Sequence, residues 1–320
     1  MEASRKQLAV HSTLFLATFI WGTSFLFTKI LLTHIPPLTI ACIRFSLAFI
    51  LFFIFIKLAK REKITSFAGD FLKLLLLGIF GVTLYYWGEN TCLLTITTAS
   101  AALILALVPG LTLVLSMIFL GEKATVAKTT GLIIAFAGAA LVILNGTGIS
   151  ELFTKGIGYL YAFLAAFSFS VYNIIGKKVM IKRSSIQTTA FSFLFGVVLL
   201  IPFSFFEAKP DIQSYFTWPV VICVGYLTLF CSIGAYFLWN WGMKNIEAGK
   251  ASVYMNVIPL VAALLGWIFL SEVMSLQIII GGCLIIIGII LTNSQLKLRQ
   301  RTAQITEECV VGINTLEKAE

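Results

Sequence analysis

Several ionisable side chains lie in or beside long apolar tracts of this sequence, where a charge is costly and a functional role is the first hypothesis. Arg44 lies deepest, about seven residues or roughly 10 Å into its predicted helix. Lys29 and Glu89 lie closer to helix ends. Arg44 can attract the carboxylate of a ligand or pair with Glu89. A structural ion pair, or a side chain that extends to water, fits the same position.

Polar and aromatic residues gather at a few helix positions where a ligand cavity would need them. An asparagine that faces lipid is costly, so Asn90 and Asn240 are expected to face protein or a wet cavity. Hydrogen bonds between helices explain them as well as substrate contact does, and the aromatic rings can instead form belts at the bilayer surfaces. The residues predicted to contact substrate are Trp21, Ser24, Tyr86, Asn90, Tyr172, Asn173, Tyr236, Trp239 and Asn240.

Two prolines, Pro109 and Pro259, stand near the middle of their predicted helices. Each removes an intrahelical hydrogen bond, because proline has no backbone N–H. The freed carbonyl can meet a substrate, or the proline can act as a hinge. A passive kink is the alternative, since many membrane helices contain one.

The elements that must position these residues are long uncharged tracts. Of 320 residues, 59% are hydrophobic and 12% are charged, and the mean hydropathy is +0.99, whereas a soluble chain is about a quarter charged. A bilayer core about 30 Å thick needs roughly 20 apolar residues of helix. The tracts predict an all-α integral membrane protein with ten transmembrane helices. These span about 12–32, 38–57, 71–93, 98–120, 127–146, 156–177, 186–206, 218–240, 249–270 and 275–294.

The distribution of lysine and arginine predicts the orientation, because positive residues resist translocation. With the N-terminus in the cytoplasm, the outer loops contain only Lys155 and Lys209. Both termini are then cytoplasmic, and residues 295–320 form a polar cytoplasmic tail. The net charge of +9 thus reflects topology in a cell membrane, and no nucleic-acid partner is expected.

An internal repeat has an offset of 150 residues, and its densest block aligns 118–122 (IFLGE) with 268–272 (IFLSE). With a small gap, 21–29 aligns with 169–177. The repeats, 12–146 and 156–294, hold five predicted helices each, so the odd number inverts the second copy across the membrane. Inverted repeats are typical of alternating-access transporters. A duplicated scaffold without transport has the same pattern.

These residues resemble the drug/metabolite transporter superfamily, specifically its bacterial EamA-type members. The resemblance covers residues 12–294 and implies a ten-helix exporter of small metabolites, such as amino acids, with both termini inside. The implied cavity lies chiefly between helices 1, 3, 4, 6, 8 and 9. The second half lacks the Trp-Gly pair at the position that aligns with Trp21-Gly22, and it lacks any helix 7 counterpart of Arg44. The matching features are Trp21-Gly22 with Lys29, Arg44-Phe45, Pro109 with 119–122, and Pro259 with 269–272.

The inverted symmetry also suggests gates made of ion pairs. Lys29 and Glu272 are predicted at the outer face, and their repeat mates Lys177 and Glu122 at the inner face. We expect each pair to approach only when its own side of the membrane is closed. Alternatively, the two glutamates terminate or orient helices locally.

The function predicted from the sequence is secondary transport of a small molecule across a lipid bilayer. The sequence has no phosphate-binding loop with the spacing of an ATPase, and neither a cofactor nor a metal is expected. A proton or a counter-solute can drive transport, and the oligomeric state stays open. The alternative is a membrane-embedded enzyme or a receptor. An enzyme is disfavoured because His11 and His34 are the only histidines and no nucleophile with a base accompanies them.

Overall fold

The computed structural model describes residues 2–59, 69–120, 126–144, 149–208, 211–246, 251, 253–288 and 290–291. Within these residues the chain forms helices and turns and no strand. Among the described residues, seven helices are long and apolar enough to cross a membrane, and three shorter apolar helices accompany them. These ten helices confirm the predicted architecture of a multi-pass membrane protein. Glu122 and the predicted tail 295–320 lie outside the described residues.

The ten helices follow the predicted order, with different limits at several ends. α1 begins at Glu2 and α6 at Ile149, earlier than the predicted starts at 12 and 156. Hydropathy detects only the part of a helix that lipid surrounds, whereas lysine, arginine and glutamate continue a helix well in water. The described limits are α1 Glu2–Leu31, α2 Pro37–Ala59, α3 Phe71–Cys92, α4 Thr98–Leu105 with Val108–Leu120, α5 Val126–Ile143, α6 Ile149–Val179, α7 Ser185–Ser204, α8 Trp218–Asn245, α9 Val257–Leu270 and α10 Leu276–Gly288.

The two repeats interlock instead of forming separate bodies. The first helix of the first repeat, α1, packs against α8 and α9 of the second repeat. The first helix of the second repeat, α6, packs in the same way against α3 and α4. The second helices, α2 and α7, pack against each other. The core therefore lies between the repeats, and neither repeat can bury its apolar surface alone.

α5 and α10 meet through glycines that the repeat relates to one another. A Cβ atom at Gly281 would lie 2.7 Å from the carbonyl oxygen of Gly138, and one at Gly288 would lie 2.5 Å from that of Gly131. The repeat offset of 150 makes Gly131 equivalent to Gly281 and Gly138 equivalent to Gly288. Gly138 therefore contacts the equivalent of Gly131, and Gly131 contacts the equivalent of Gly138. Small residues allow this backbone approach, which drives helix association in lipid.

We predict that Gly281→Ala lowers the apparent unfolding temperature of the purified protein, because its methyl group forces the two backbones apart. Overpacking of this kind costs about 1–3 kcal/mol. Gly225→Ala in α8 is the matched control, since a Cβ there meets nothing within 4 Å. Thermal unfolding in detergent measures both variants. An unchanged unfolding temperature for Gly281→Ala would contradict the close contact.

Candidate functional site

α3 and α8 each contain a π-helical segment at an equivalent position of the repeat. The segments are Ile79–Thr83 and Leu227–Gly234. An offset of 150 places the first inside the second. π-helical segments are rare and often mark functional sites. Hydropathy cannot reveal them, because a π-helical turn has the same apolar composition as the α-helical turns on either side of it.

Side chains of one repeat bind the π-helical segment of the other. The Tyr236 hydroxyl donates a hydrogen bond to the carbonyl oxygen of Gly81 at 2.6 Å. The Trp21 indole Nε1 donates to the carbonyl oxygen of Cys231 at 3.0 Å. These bonds satisfy polar groups that lipid would leave unpaired, so the irregular segments hold the two repeats together at the centre of the protein.

An aromatic cluster occupies the centre and contains four of the predicted substrate contacts. The ring of Trp21 lies 5.4 Å from the rings of both Tyr236 and Trp239, measured between centroids, and Tyr172 lies 6.1 Å from Tyr236. Phe169 meets Trp21 edge to face at 5.6 Å. Phe169 was not predicted, although the repeat aligns it with Trp21. All five side chains are buried, so the centre is closed in this structure.

The predicted asparagines bind other helices. Asn90 Nδ2 donates to the carbonyl oxygen of Pro37 at 2.8 Å, which joins α3 to the start of α2. Its repeat mate Asn240 donates to the hydroxyl groups of Thr189 at 2.8 Å and Tyr172 at 3.0 Å, which joins α8 to α7 and α6. Helix–helix hydrogen bonding therefore accounts for the Asn240 amide and for Asn90 Nδ2, whereas Asn90 Oδ1 is buried and has no hydrogen-bond partner among the described residues.

Ser24 and Asn173 also have partners inside the protein. The Ser24 hydroxyl donates to the carbonyl oxygen of Trp21 in its own helix at 2.6 Å. Asn173 Oδ1 accepts a hydrogen bond of 3.4 Å from Trp239 Nε1. Asn173 thus borders the aromatic cluster, whereas Ser24 is held by the preceding turn of α1.

Arg44 lies in a buried setting of hydroxyl groups and rings. Its Nε donates to the Ser232 hydroxyl at 2.6 Å, and its Nη2 lies 3.4 Å from the Tyr86 hydroxyl. The guanidinium carbon is 4.7 Å from the centroid of the Tyr86 ring and 5.1 Å from that of Phe45. Cation–π attraction of this kind offsets part of the desolvation of the charge. Glu89 is buried as well and attracts Arg44 electrostatically.

Buried polar atoms without a protein partner are the places where a ligand or water can bind. Among the described residues, such atoms include Arg44 Nη1 in α2, Thr112 Oγ1 in α4 and Ser168 Oγ in α6. Within the same part of the chain, no group of three or more His, Cys, Asp and Glu side chains is placed to hold a metal ion. The arrangement thus offers hydrogen-bond donors, hydroxyl groups and aromatic faces, which suit reversible binding.

Two lysines make the same contact at opposite ends of the protein. Lys29 at the end of α1 donates to the carbonyl oxygens of Leu93 and Ile96, the latter at 3.1 Å. Lys177 near the end of α6 donates to those of Met243 and Ile246, both at 2.7 Å. The carbonyl residues correspond at an offset of 150. Each lysine therefore binds the C-terminal end of a helix, where carbonyls lack partners and a cation is favoured.

Glu272 binds the next part of the same outer connection. Its carboxylate accepts hydrogen bonds from the backbone N–H of Thr98 at 2.9 Å and from the Thr98 hydroxyl at 2.8 Å. It therefore caps the start of α4, where backbone N–H groups are free. Both Lys29 and Glu272 are fully described, and no ion pair within 4.0 Å joins them. The alternative that the glutamate orients a helix matches this geometry.

A second capping carboxylate, which the sequence analysis did not identify, binds the start of α2. Glu207 accepts hydrogen bonds from the backbone N–H of Leu38 at 2.8 Å and of Thr39 at 2.7 Å. Glu207 lies about 170 positions along the chain from the helix that it caps, so no local capping motif in the sequence predicts this contact. Glu207 fixes the start of the helix that contains Arg44.

Both central prolines follow a break in their helix. α4 is interrupted at Ala106 and Leu107, directly before the segment that contains Pro109. A 3₁₀ turn, Val253–Asn256, precedes the α9 segment that contains Pro259. Proline fits the first turn of a helix, where its missing N–H has no partner to lose. The hinge role of the two prolines stays a prediction, and the breaks lie where a hinge requires them.

Comparison with known proteins gives concordant matches over most of the chain. The profile of the EamA-like transporter family matches residues 9–144 and 156–294. An uncharacterized transporter of Archaeoglobus fulgidus is 31% identical over 287 residues, which cover 89% of this chain and 97% of the relative. A probable terminal-alkyne amino-acid exporter of Streptantibioticus cattleyicolor is 26% identical, covering 74% of this chain and 77% of the relative. A crystal structure with 20% identity and a TM-score of 0.61 covers 89% of this chain and 98% of its own, and shares the fold.

The backbone conformation next to Glu272 gives a testable prediction. Ser271 has φ 53° and ψ 30°, the left-handed region that disfavours residues with a Cβ. The repeat places Gly121 at the equivalent position. Ser271→Gly should therefore raise the unfolding free energy by about 1 kcal/mol.

The matched control for this substitution is Ser275→Gly. The Ser275 hydroxyl accepts a hydrogen bond from the backbone N–H of Ile278 at 3.2 Å, so glycine there should lower the unfolding free energy by about a few tenths of a kcal/mol. Denaturation in detergent compares the two variants. The same sign of change in both would contradict the strain at Ser271.

Proposed function

Because this chain belongs to the EamA-like transporter family, we propose that it is a secondary transporter that exports a small metabolite by alternating access. An amino acid or a related compound is the proposed cargo. The similarity to a probable terminal-alkyne amino-acid exporter supports this class. The many hydrogen-bonding groups and aromatic rings around the closed centre are of the kind that bind such molecules.

The single observation that carries the proposal is the pair of lysine contacts. Lys29 and Lys177 bind repeat-related carbonyls, and five helices per repeat place these contacts at opposite ends of the protein. A carrier needs two such closures, because access must change from one side to the other while the site stays closed on at least one side. A scaffold protein has no need to build the same closure twice.

Transport then proceeds as an exchange between two closures around one central site. Release of Lys29 from the end of α3 frees the outer connection, which Glu272 links to α4 and α9. The break before Pro109 lets the two segments of α4, Thr98–Leu105 and Val108–Leu120, tilt separately, and the 3₁₀ turn Val253–Asn256 lets α9 tilt as a unit. The cross-repeat hydrogen bonds at the π-helical segments are the contacts that a bound substrate must loosen.

Counterflow in liposomes tests the proposed function. Purified protein is reconstituted into vesicles loaded with an unlabelled L-amino acid, and uptake of the same labelled compound is followed. A carrier produces transient, saturable accumulation that empty vesicles lack. Absence of counterflow across amino acids, nucleosides and small cationic compounds would reject the metabolite carrier. Chemical conversion of the solute would instead support an enzyme.

The lysine contacts predict opposite shifts of the conformational equilibrium. Lys29→Met should favour opening at the outer end and Lys177→Met opening at the inner end, each by about tenfold, since a hydrogen bond from a charged donor contributes about 1.5–3 kcal/mol. Hydrogen–deuterium exchange is measured at 93–99 and at 243–246. Lys178→Met is the control, because Lys178 is exposed. Equal exchange changes at both ends in either variant would contradict separate closures.

A further inference from the structure

Arg44 and Glu89 are two opposite charges that are buried at the centre without contacting each other directly. Their side chains are 1% and 2% exposed. Both residues are described, and no carboxylate oxygen of Glu89 lies within 4.0 Å of an Arg44 nitrogen. The two groups attract each other electrostatically across this gap. A buried charge without a close partner costs several kcal/mol, so this arrangement needs an explanation.

The guanidinium group has one edge left for an additional acceptor. Ser232 and Tyr86 accept from Nε and Nη2, while Nη1 has no partner among the described residues. Hydroxyl groups neutralise no charge. A carboxylate that binds the Nη1 and Nη2 edge would supply both the missing hydrogen bond and the missing negative charge, in the bidentate geometry that arginine favours.

Glu89 lies one helical turn after Tyr85 in α3. Its acceptor capacity suits a cationic donor, because an ionised carboxylate accepts up to about four hydrogen bonds. Tyr85 and Tyr86 pack edge to face with centroids 4.7 Å apart, and the ring of Tyr85 lies 5.0 Å from that of Phe169. The gap between the two charges therefore borders the aromatic cluster.

We propose that Arg44 and Glu89 together bind a zwitterion, with the carboxylate of the ligand on Arg44 and its ammonium group on Glu89. This inference rests on the proposed transport function and specifies its recognition chemistry. A free α-amino acid has its carboxylate and its ammonium group bonded to the same carbon, so one molecule can offer a partner to each of the two charges, which form no direct ion pair in this conformation. The rings of Tyr86 and Trp21 then receive an apolar side chain.

Ligands with a single charge fit the same gap poorly. An anion on Arg44 would lie beside the negative Glu89, and a cation on Glu89 would lie beside the positive Arg44, so each would meet repulsion in a setting of low dielectric. A zwitterion neutralises both groups at once. The second repeat has no counterpart of Arg44, so the site is asymmetric although the fold is duplicated.

Ligand binding to purified protein tests the proposal through thermal stabilisation, since binding to the folded state raises the apparent unfolding temperature. The common L-amino acids are first screened. The best binder is then compared with its decarboxylated amine, which is a cation, and with its deamino acid, which is an anion. Wild-type protein should bind the zwitterion at least tenfold more tightly than either analogue.

Isosteric variants test the contribution of each charge separately. Glu89→Gln should weaken zwitterion binding by about 10- to 100-fold, the range expected for one charge-assisted hydrogen bond, and should reduce or reverse the preference over the anionic analogue. Arg44→Gln should weaken zwitterion binding by a similar factor and should reduce or reverse the preference over the cationic analogue. Arg44→Lys keeps the charge and should retain part of the affinity if Arg44→Gln fails to fold. Asp211→Asn is the carboxylate control, because Asp211 is exposed, and it should leave the ligand ratios unchanged.

The outcomes distinguish this proposal from the proposed function. If either variant weakens the zwitterion and both analogues equally, the pair is structural and the proposal is wrong. If no amino acid stabilises the wild-type protein but another solute shows counterflow, the chain is a carrier and the zwitterion site is rejected. If nothing shows counterflow, the proposed function itself fails.

Discussion

The structure depends on one constraint, that polar groups in a bilayer must find partners within the protein because lipid offers none. The helices of this chain are irregular at several buried places, and a side chain from elsewhere meets each of them. Tyr236 and Trp21 supply donors to the π-helical segments of the opposite repeat. Lys29 binds the carbonyls at the end of α3. The irregular places are consequently the places where the two halves are joined.

The same constraint bears on the proposed transport cycle, which requires these contacts to open. A hydrogen bond between side chain and backbone contributes about 1 kcal/mol net, so a ligand can replace one without unfolding the helix. A continuous α-helical ladder in the same position would have to break several bonds together. The protein therefore combines continuous helices such as α2 with interrupted ones, α3, α4 and α8, and the π-helical segments of α3 and α8 accept hydrogen bonds from the opposite repeat.

Some contacts occur in equivalent form in both repeats, and others occur in one repeat only. Lys29 and Lys177 bind equivalent carbonyls, and α5 meets α10 through exchanged glycines. By contrast, Trp21 faces its repeat mate Phe169, and Arg44 has no equivalent. In the proposed transport cycle, symmetric contacts would keep the two closures similar in energy, as reversible exchange requires. The asymmetric residues lie at the centre, where the proposed ligand, which has no symmetry, would bind.

The sequence alone determined the ten helices, the two inverted sets of five and the pairs of equivalent residues, because hydropathy and repetition are properties of the chain read locally. It also indicated the helix breaks near Pro109 and Pro259. Partner choice was decided only by the tertiary structure. The sequence places Lys29 at a helix end. That Lys29 binds the carbonyl oxygens of Leu93 and Ile96, and not Glu272, depends on how α1 and α3 are rotated against each other.

The chemistry-bearing residues divide in the same way. Asn90 and Asn240 were candidates for substrate contact, and the fold turns them toward neighbouring helices. Arg44 was the deepest charge in the sequence, and the fold surrounds it with hydroxyl groups while one nitrogen stays unpaired. Depth follows from counting residues along a helix. Orientation and neighbours follow from packing between elements far apart in the chain, which no local pattern encodes.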